Sequence, residues 1–356
     1  MLLTIDLLLS NPDIVKAILD RTMQVNYDKI RWKRYLKTHE SSSPTFKMAT
    51  GVVSRVVVGT MIDSYANKPL RGRKNIGSGV GEVGSFGDAF QMDNYRMDEL
   101  LKLIKKFNAL GTKEQNTMIN EIVNFLVDDY KQVYLAPMLA IDKMLGDARS
   151  RGKYIVSING ADAREINLPV NMFVPTDEDK NHIVSYLSDK IEDLKDLGIY
   201  PTAIQMTRKT FRNRVVKSSE FINTYKLKFD SMDIDPTSII TVDMVNKLLS
   251  ASDIDVPIEI VDERVELPNG SVYKSFADDK ICLLPGDDLG TLEYYKSSEW
   301  SDPVPGKNYS HAENGMVLIS SQRTEEGRFL DYFMNAAPNL SAPKKISIVD
   351  LSDNVA

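Results

Sequence analysis

Residues 116–153 constrain this chain more than any other stretch. Met118, Ile119, Ile122, Val123, Leu126, Val127, Tyr130, Val133 and Tyr134 recur at three-and-four spacing, the period that lays apolar side chains along one stripe of a helix. The stripe resumes at Met138, Ile141, Met144 and Leu145. At ~1.5 Å per residue such a helix is roughly 50 Å long, more than the diameter of a small domain. It is either the core helix of an α+β domain or the backbone of an extended, shell-forming subunit. Pro137 lies inside it. Proline lacks the N–H and crowds the preceding turn, which predicts a kink or a short break near Leu135. Ala148-Arg149-Ser150-Arg151-Gly152, basic residues then glycine, closes the helix, and a strand over Lys153–Ile158 follows at once.

The totals bound the class. With 356 residues the chain supports about two domains and a sizeable core. A net charge of −6 argues against a general nucleic-acid coat held by basic surface. The single cysteine, Cys282, sits in the apolar run Lys280–Leu284. It permits no intrachain disulfide, which suits a reducing compartment, and it reads as a small buried residue rather than a nucleophile. Met1-Leu2-Leu3-Thr4-Ile5-Asp6 lacks the basic region of a signal peptide. No run is long and uncharged enough to span a membrane.

Residues 1–46 read as an arm. Asn11-Pro12-Asp13 starts a short helix through Leu19. Lys29-Ile30-Arg31-Trp32-Lys33-Arg34-Tyr35-Leu36-Lys37 interleaves cations with aromatics, a pattern seen in nucleic-acid binding, although one short run fits a solvated or subunit-packing arm better. Residues 47–92 read as a two-stranded flap. The β-branched Val52–Val58 is its first strand, and Ala89-Phe90-Gln91-Met92 returns antiparallel to it. Its tip, Asn67 to Asn75, is basic and followed by a glycine-rich run through Gly87. Gly79-Val80-Gly81-Glu82-Val83-Gly84 spells the dinucleotide fingerprint G-x-G-x-x-G, but no strand is expected before it and Ser85-Phe86-Gly87-Asp88 is a poor helix start. Asp93–Asn108 is an amphipathic helix. Beyond the long helix come short strands over 153–175, a helix capped at Thr176 with Ile183, Leu187, Ile191 and Leu194 on one face, a buried strand at Pro201–Met206, and helices capped at Thr207 and Thr241. Strands then dominate: Val256–Val261, a turn at Pro268-Asn269-Gly270, Ile281–Leu284, Leu292–Tyr295, Gly315–Ser321 and Lys345–Leu351. Phe329–Ala336 is hydrophobic and runs into Pro338.

Catalytic chemistry finds little support. His39, His182 and His311 lie far apart without ligand spacing, and His182 falls off the apolar face of its helix. Asp230-Ser231-Met232-Asp233-Ile234-Asp235 resembles half a calcium loop but lacks the central glycine and distal glutamate. Asp278-Asp279 and Asp287-Asp288 flank the strand at Ile281 with no nucleophile or base beside them. The chain reads as no enzyme, with no cofactor and no metal.

The order of parts, together with three junctions, resembles the major capsid protein of tailed bacteriophages, the Hong Kong 97 fold, in its lambda protein E-like branch. The junctions are Met144 to Val156 at the helix exit, Ile204-Gln205-Met206 before a capped helix, and Ile281-Cys282-Leu283-Leu284-Pro285 followed by Leu289-Gly290-Thr291. The resemblance implies an N-terminal arm (1–46), an extended β-hairpin loop (47–92), a peripheral domain with a spine helix (93–175 and 311–356) and an α/β axial domain (176–310). It also implies hexamers and pentamers closing an icosahedral shell around phage DNA, which the inner surface touches non-specifically. A portal and a separate scaffolding protein follow, since no scaffolding segment has room before the arm. Assembly in the host cytoplasm follows too, without a membrane. Some members cross-link a loop lysine to a neighbour's asparagine. Lys68, Lys74, Asn335 and Asn339 exist here, but nothing singles them out and that bond is not expected.

One contact follows from charge. The tip cations Lys68, Arg71, Arg73 and Lys74 face candidate acidic surface on the long helix, Asp128 and Asp129, and on the axial helix, Glu192, Asp193 and Asp196. Docking on an adjacent subunit would supply register more than affinity. The alternatives are another phage structural protein, such as a minor capsid or decoration protein, and a nucleotide-binding enzyme using the run 79–84.

Overall fold

The structure, a computed structural model, describes residues 2–49, 78–158, 162–228, 240–250, 254–325 and 327–352. Val52–Val58, the basic tip with Lys68, Arg71, Arg73 and Lys74, and Asp230–Asp235 lie outside the described residues. Along the chain run α1 (Ile5–Ser10), α2 (Pro12–Asn26), β1 (Leu36–Glu40), β2 (Thr45–Ala49), β3 (Ser78–Glu82), β4 (Gly84–Gln91), α3 (Asn94–Ala109), α4 (Thr112–Arg151), β5 (Lys153–Ile158), β6 (Asp162–Asn167) and β7 (Asn171–Phe173). Then follow α5 (Asp177–Asn181), α6 (Ile183–Asp196), β8 (Ala203–Met206), α7 (Arg208–Thr210, continued by a π turn over Phe211–Val216), α8 (Ser219–Lys228) and α9 (Val242–Ser250). The last third is β9 (Ile258–Ile260), β10 (Arg264–Glu266), β11 (Val272–Lys274), β12 (Lys280–Leu284), β13 (Gly290–Tyr295), β14 (Asn308–Ala312), β15 (Val317–Thr324), β16 (Gly327–Leu340) and β17 (Ser347–Asp350).

The long helix is α4, 40 residues without the expected break at Pro137. Val133, Tyr134, Met138 and Ile141 are buried on either side of the proline. Packing on both flanks outweighs the local cost of about 3 kcal/mol for the lost bond and the crowded turn. Gly152 ends the helix at φ +68°, the left-handed region that glycine enters without strain. Toward its C-terminus the one-sided stripe disappears: from Met144 to Ser150 every residue is buried.

Two cores share one sheet. The five-stranded sheet has the order β7-β17-β12-β8-β9. Strand alternation sends Ile281 and Leu283 into a core with α6 and α9, and Cys282 and Leu284 into the other core, against α4. Val349 and Ile348 of β17 divide the same way. Thr176 caps α5 with its Oγ1 accepting the Asp179 N–H at 3.2 Å, and Ile183, Leu187, Ile191 and Leu194 form the buried stripe of α6.

The second sheet is built on β16, fourteen residues that the sequence reading left unassigned. β4 lies along one edge, pairing Gln91 with Phe329 through Gly84 with Ala336. β15 and β13 follow one another along the opposite edge. β4 thus docks on the body through one edge, and the expected pairing of Ala89–Met92 with Val52–Val58 falls on residues outside the described ones. β2 pairs antiparallel with β3. Pro338 is tolerated in β16 because its carbonyl faces away from β13, accepting the Tyr154 hydroxyl at 2.8 Å, so its missing N–H falls on the same open side.

The N-terminal segment departs furthest from expectation. Asn11 caps α2, its side chain accepting the Asp13 N–H at 3.0 Å, and the helix runs to Asn26, not Leu19. Val15, Ile18 and Leu19 join the core of α4. In the basic run, Trp32 and Tyr35 are 1% and 4% exposed. They are core anchors, which corrects the reading of a solvated arm and removes the stacking platforms that the nucleic-acid reading needed.

Candidate functional site: the junction at the end of the long helix

The buried end of α4 gathers the N-terminal segment, the five-stranded sheet and the β10–β11 hairpin onto a few polar side chains. Arg149 is 1% exposed. Its Nη1 donates to Gln205 Oε1 at 2.7 Å, and Nη2 donates to both carboxylate oxygens of Glu263, at 2.8 and 2.9 Å. Its guanidinium lies 4.4 Å from the Tyr35 ring centroid. Burial opposes its charge, but Glu263 and Tyr35 outweigh that, and its pKa is raised. Gln205 passes the network on, donating to the Tyr35 hydroxyl and to Glu259, each at 2.9 Å. Glu259 accepts from Arg34, whose Nε reaches Asp287 at 3.0 Å. Five regions distant in sequence are thus held in one register. A fork of donors with planar acceptors suits this better than a lysine.

Seven residues back along α4, Asp142 holds the N-terminal segment by its backbone. Its carboxylate accepts the Trp32 N–H at 2.6 Å and the Arg31 N–H at 3.1 Å. Burial pushes this carboxyl up to about 7, against the opposing pull of those two N–H groups. The folded state therefore binds a proton that the unfolded chain releases near pH 4. This group's stabilisation is complete below about pH 4 and is lost as pH rises to about 7, a change on the order of 4 kcal/mol. Denaturant midpoints measured from pH 4 to 8 check this. Asp142→Asn, which keeps an acceptor without a charge, is expected to flatten the profile across that window.

The remaining acids are tied locally. Asp147 meets Arg151, Lys143 and the Tyr273 hydroxyl. Asp278 accepts from Thr207 at 2.8 Å and Lys274 at 2.6 Å, and Asp279 pairs with Arg214 at 2.7 Å. Asp287 and Asp288 pair with Arg34 and Lys37. These carboxylates serve as tethers between elements. His182 is exposed, His39 contacts Glu293 at 2.6 Å, and His311 lies tilted by 41° against Trp300 with ring centroids 3.8 Å apart. Cys282 is fully buried and its thiol is pushed up to about 12 by burial, the opposite of an activated nucleophile.

The glycine run 79–84 lies in β3 and at the start of β4, with no helix opening after it. Gly81 is required by packing: a Cβ there would meet the Phe46 ring at 2.5 Å. Asn335 accepts from Ser85 and donates to the Tyr295 carbonyl, and Asn339 donates to the Lys47 carbonyl and Glu293. Of the acids expected to receive the tip, Asp128 is exposed, while Asp129 is turned onto Arg96 at 3.1 Å and its carboxyl is raised by burial. On α6, Glu192 and Asp193 are exposed but pair with Lys195 and Lys190 at 2.7 Å, and Asp196 is exposed at the helix end. The structure brings α6's three acids together and leaves Asp128 and Asp129 on a different core.

The junction residues went unassigned as a site in the sequence. The available signal was a polar residue inside an apolar run, Gln205 between Ile204 and Met206, and Arg149 in a helix turn otherwise made of small residues.

No family model and no curated protein matches the sequence. By structure the chain is similar to a protein assigned as a prophage capsid protein from E. coli CFT073, with a TM-score of 0.60 and 12% identity over 96% of this chain and 99% of that one. A phage-related protein from Bordetella bronchiseptica RB50 aligns at TM-score 0.47 and 11% identity over 96% and 98% of the two chains. The capsid of cyanophage A-1(L) aligns at 0.40 and 10% over 99% and 95%. The first likeness runs nearly the whole length of both chains. Among the described residues no helix is long and apolar enough to cross a membrane. The chain has the fold of a phage capsid protein.

Proposed function

We propose that this chain is a major capsid protein, a structural rather than catalytic subunit whose copies form the hexamers and pentamers of an icosahedral shell around phage DNA. The observation that carries the reading is the end-to-end likeness to the prophage capsid protein, over 96% of this chain and 99% of that one. In this reading α4 is the spine helix of a peripheral domain (93–175 and 311–356) in the Hong Kong 97 arrangement. Residues 176–310 form the axial domain, 1–46 the arm and 47–92 the extended loop. The subunit resides in the virion after assembly in the host cytoplasm, with a scaffolding protein and a portal as partners. Electron microscopy of the purified chain, alone and co-expressed with its scaffold, tests the reading. Rings, tubes or shells are expected, and a monodisperse monomer under every condition counts against it.

The loop tip carries a second test. We infer that Lys68, Arg71, Arg73 and Lys74 dock on acidic surface of a neighbouring copy. Asp128, Glu192, Asp193 and Asp196 are the candidates at the surface, with Asp129 held back by Arg96. Changing all four cations to serine is expected to reduce shell yield at low salt at least several-fold, with the difference narrowing as salt screens both forms. Equal yield would remove the tip from the contact.

A further inference from the structure

The junction and the tip contact leave one set of cations unused. A cleft of about 290 Å³ lies between α7 and the β10–β11 hairpin, walled by Arg208, Lys209, Arg212, Arg264 and Lys274, with Asp262 and Asp278. A second cleft of about 520 Å³ shares Asp262 and Arg264 with it and runs past Lys29 and Arg31 of the N-terminal segment. Asp262 and Arg264 line both, so the two clefts adjoin and are treated together as one groove. Seven cations line it. The carboxylates on it are Asp28, Asp142, Asp262, Glu263 and Asp278. Glu263 is committed to buried Arg149, and Asp142 to two backbone N–H groups. Three acids remain at the surface against seven cations, on a chain whose total charge is −6. Arg31, Arg208 and Arg212 are exposed and hold no ion pair among the described residues. Arg208 and Arg212 stand one turn apart on the same face of α7.

We propose that this groove is a phosphate track that takes the sugar-phosphate backbone of nucleic acid. Guanidinium forks left unpaired match phosphate oxygens bidentately. Local cationic excess on an otherwise anionic chain confines a polyanion to the groove. Contact is to the backbone without base readout, because Trp32 and Tyr35, the aromatics of the basic run, are buried and offer no stacking surface. The inference rests on the capsid reading for its natural ligand, packaged DNA.

The test is fluorescence anisotropy of a labelled 20-base-pair duplex of arbitrary sequence (about the length of two helical turns) titrated with the chain between ~50 and ~200 mM salt. In the triple variant Arg31→Gln/Arg208→Gln/Arg212→Gln, the slope of log K against log salt is expected to fall in magnitude by about 3, one per lost phosphate contact. A charge-matched variant, Lys102→Gln/Lys105→Gln/Lys113→Gln on the exposed faces of α3 and α4, is expected to keep the parent slope. Unchanged thermal midpoints show that both variants fold. Equal slopes for the two variants, or no duplex binding by the parent at ~50 mM salt, overturn the proposal. So does a polyglutamate peptide that binds the groove and resists displacement by the duplex, which would assign it to an acidic protein segment. Shells that form while the triple variant binds DNA like the parent remove the groove and leave the capsid reading standing. A groove that binds while no assembly forms does the reverse.

Discussion

Arg149→Met is expected to destabilise the fold by roughly 3–5 kcal/mol, because it leaves the Glu263 carboxylate buried without a counter-charge. Glu263 is 7% exposed, and Arg149 Nη2 donates to both of its carboxylate oxygens. Gln205 loses an acceptor contact in the same step, so a polar network becomes half-satisfied, which costs more than having none. The denaturation midpoint of the purified chain reads the loss. The double variant Arg149→Met/Glu263→Leu separates the pair from its setting. If the penalty is the orphaned carboxylate, the second substitution is expected to restore much of the stability, since an apolar replacement of a buried pair is often close to neutral. An Arg149→Met midpoint equal to the parent's would show that water reaches Glu263 and that the junction carries no register.

Trp32→Ala is the second large effect, about 3–5 kcal/mol for an emptied aromatic site. The side chain is 1% exposed and its own backbone N–H is fixed by Asp142 at 2.6 Å. The loss should be local first: with Trp32 gone, the anchor between α2 and β1 is lost, and limited proteolysis is expected to cut between residues 27 and 40 before the body opens. Trp32→Phe is the discriminating control. The indole Nε1 is buried without a hydrogen-bond partner among the described residues, so phenylalanine removes an unsatisfied donor while leaving a smaller cavity, and the cost should fall to about 1.5 kcal/mol or less. A Phe variant as damaged as the Ala variant would mean that the indole has a partner in solution.

The two predictions probe residues that local reasoning handled differently. The helices were legible because their signals are local. Asn11, Asp93, Thr176, Thr207 and Thr241 each offer a side-chain oxygen to a helix N-terminus, and the structure shows all five doing so. The buried strands at Ala203–Met206 and Lys280–Leu284 were legible because a strand covered on both faces reads as a short, nearly unbroken apolar run. The Pro268-Asn269-Gly270 turn announced its hairpin. β16 was missed because Asp331, Asn335 and Pro338 break its apolar run, and because its alternation serves different partners along its length. The basic run Lys29–Lys37 misled because cations at the rim and aromatics in the core share one short segment, and composition averages over both.

What the sequence determined by itself was the helices and the buried strands, above all the long helix with its three-and-four apolar stripe. Caps, turns and periodicity act between residues a few positions apart, so they survive in one dimension. The tertiary structure decided which elements meet: β4 on β16, the N-terminal segment on the long helix, and Arg149 with Glu263 across more than a hundred residues. Those contacts depend on which faces can be buried together and which charges can be desolvated only in pairs. That is settled by the packing of the whole chain, not by any window of it.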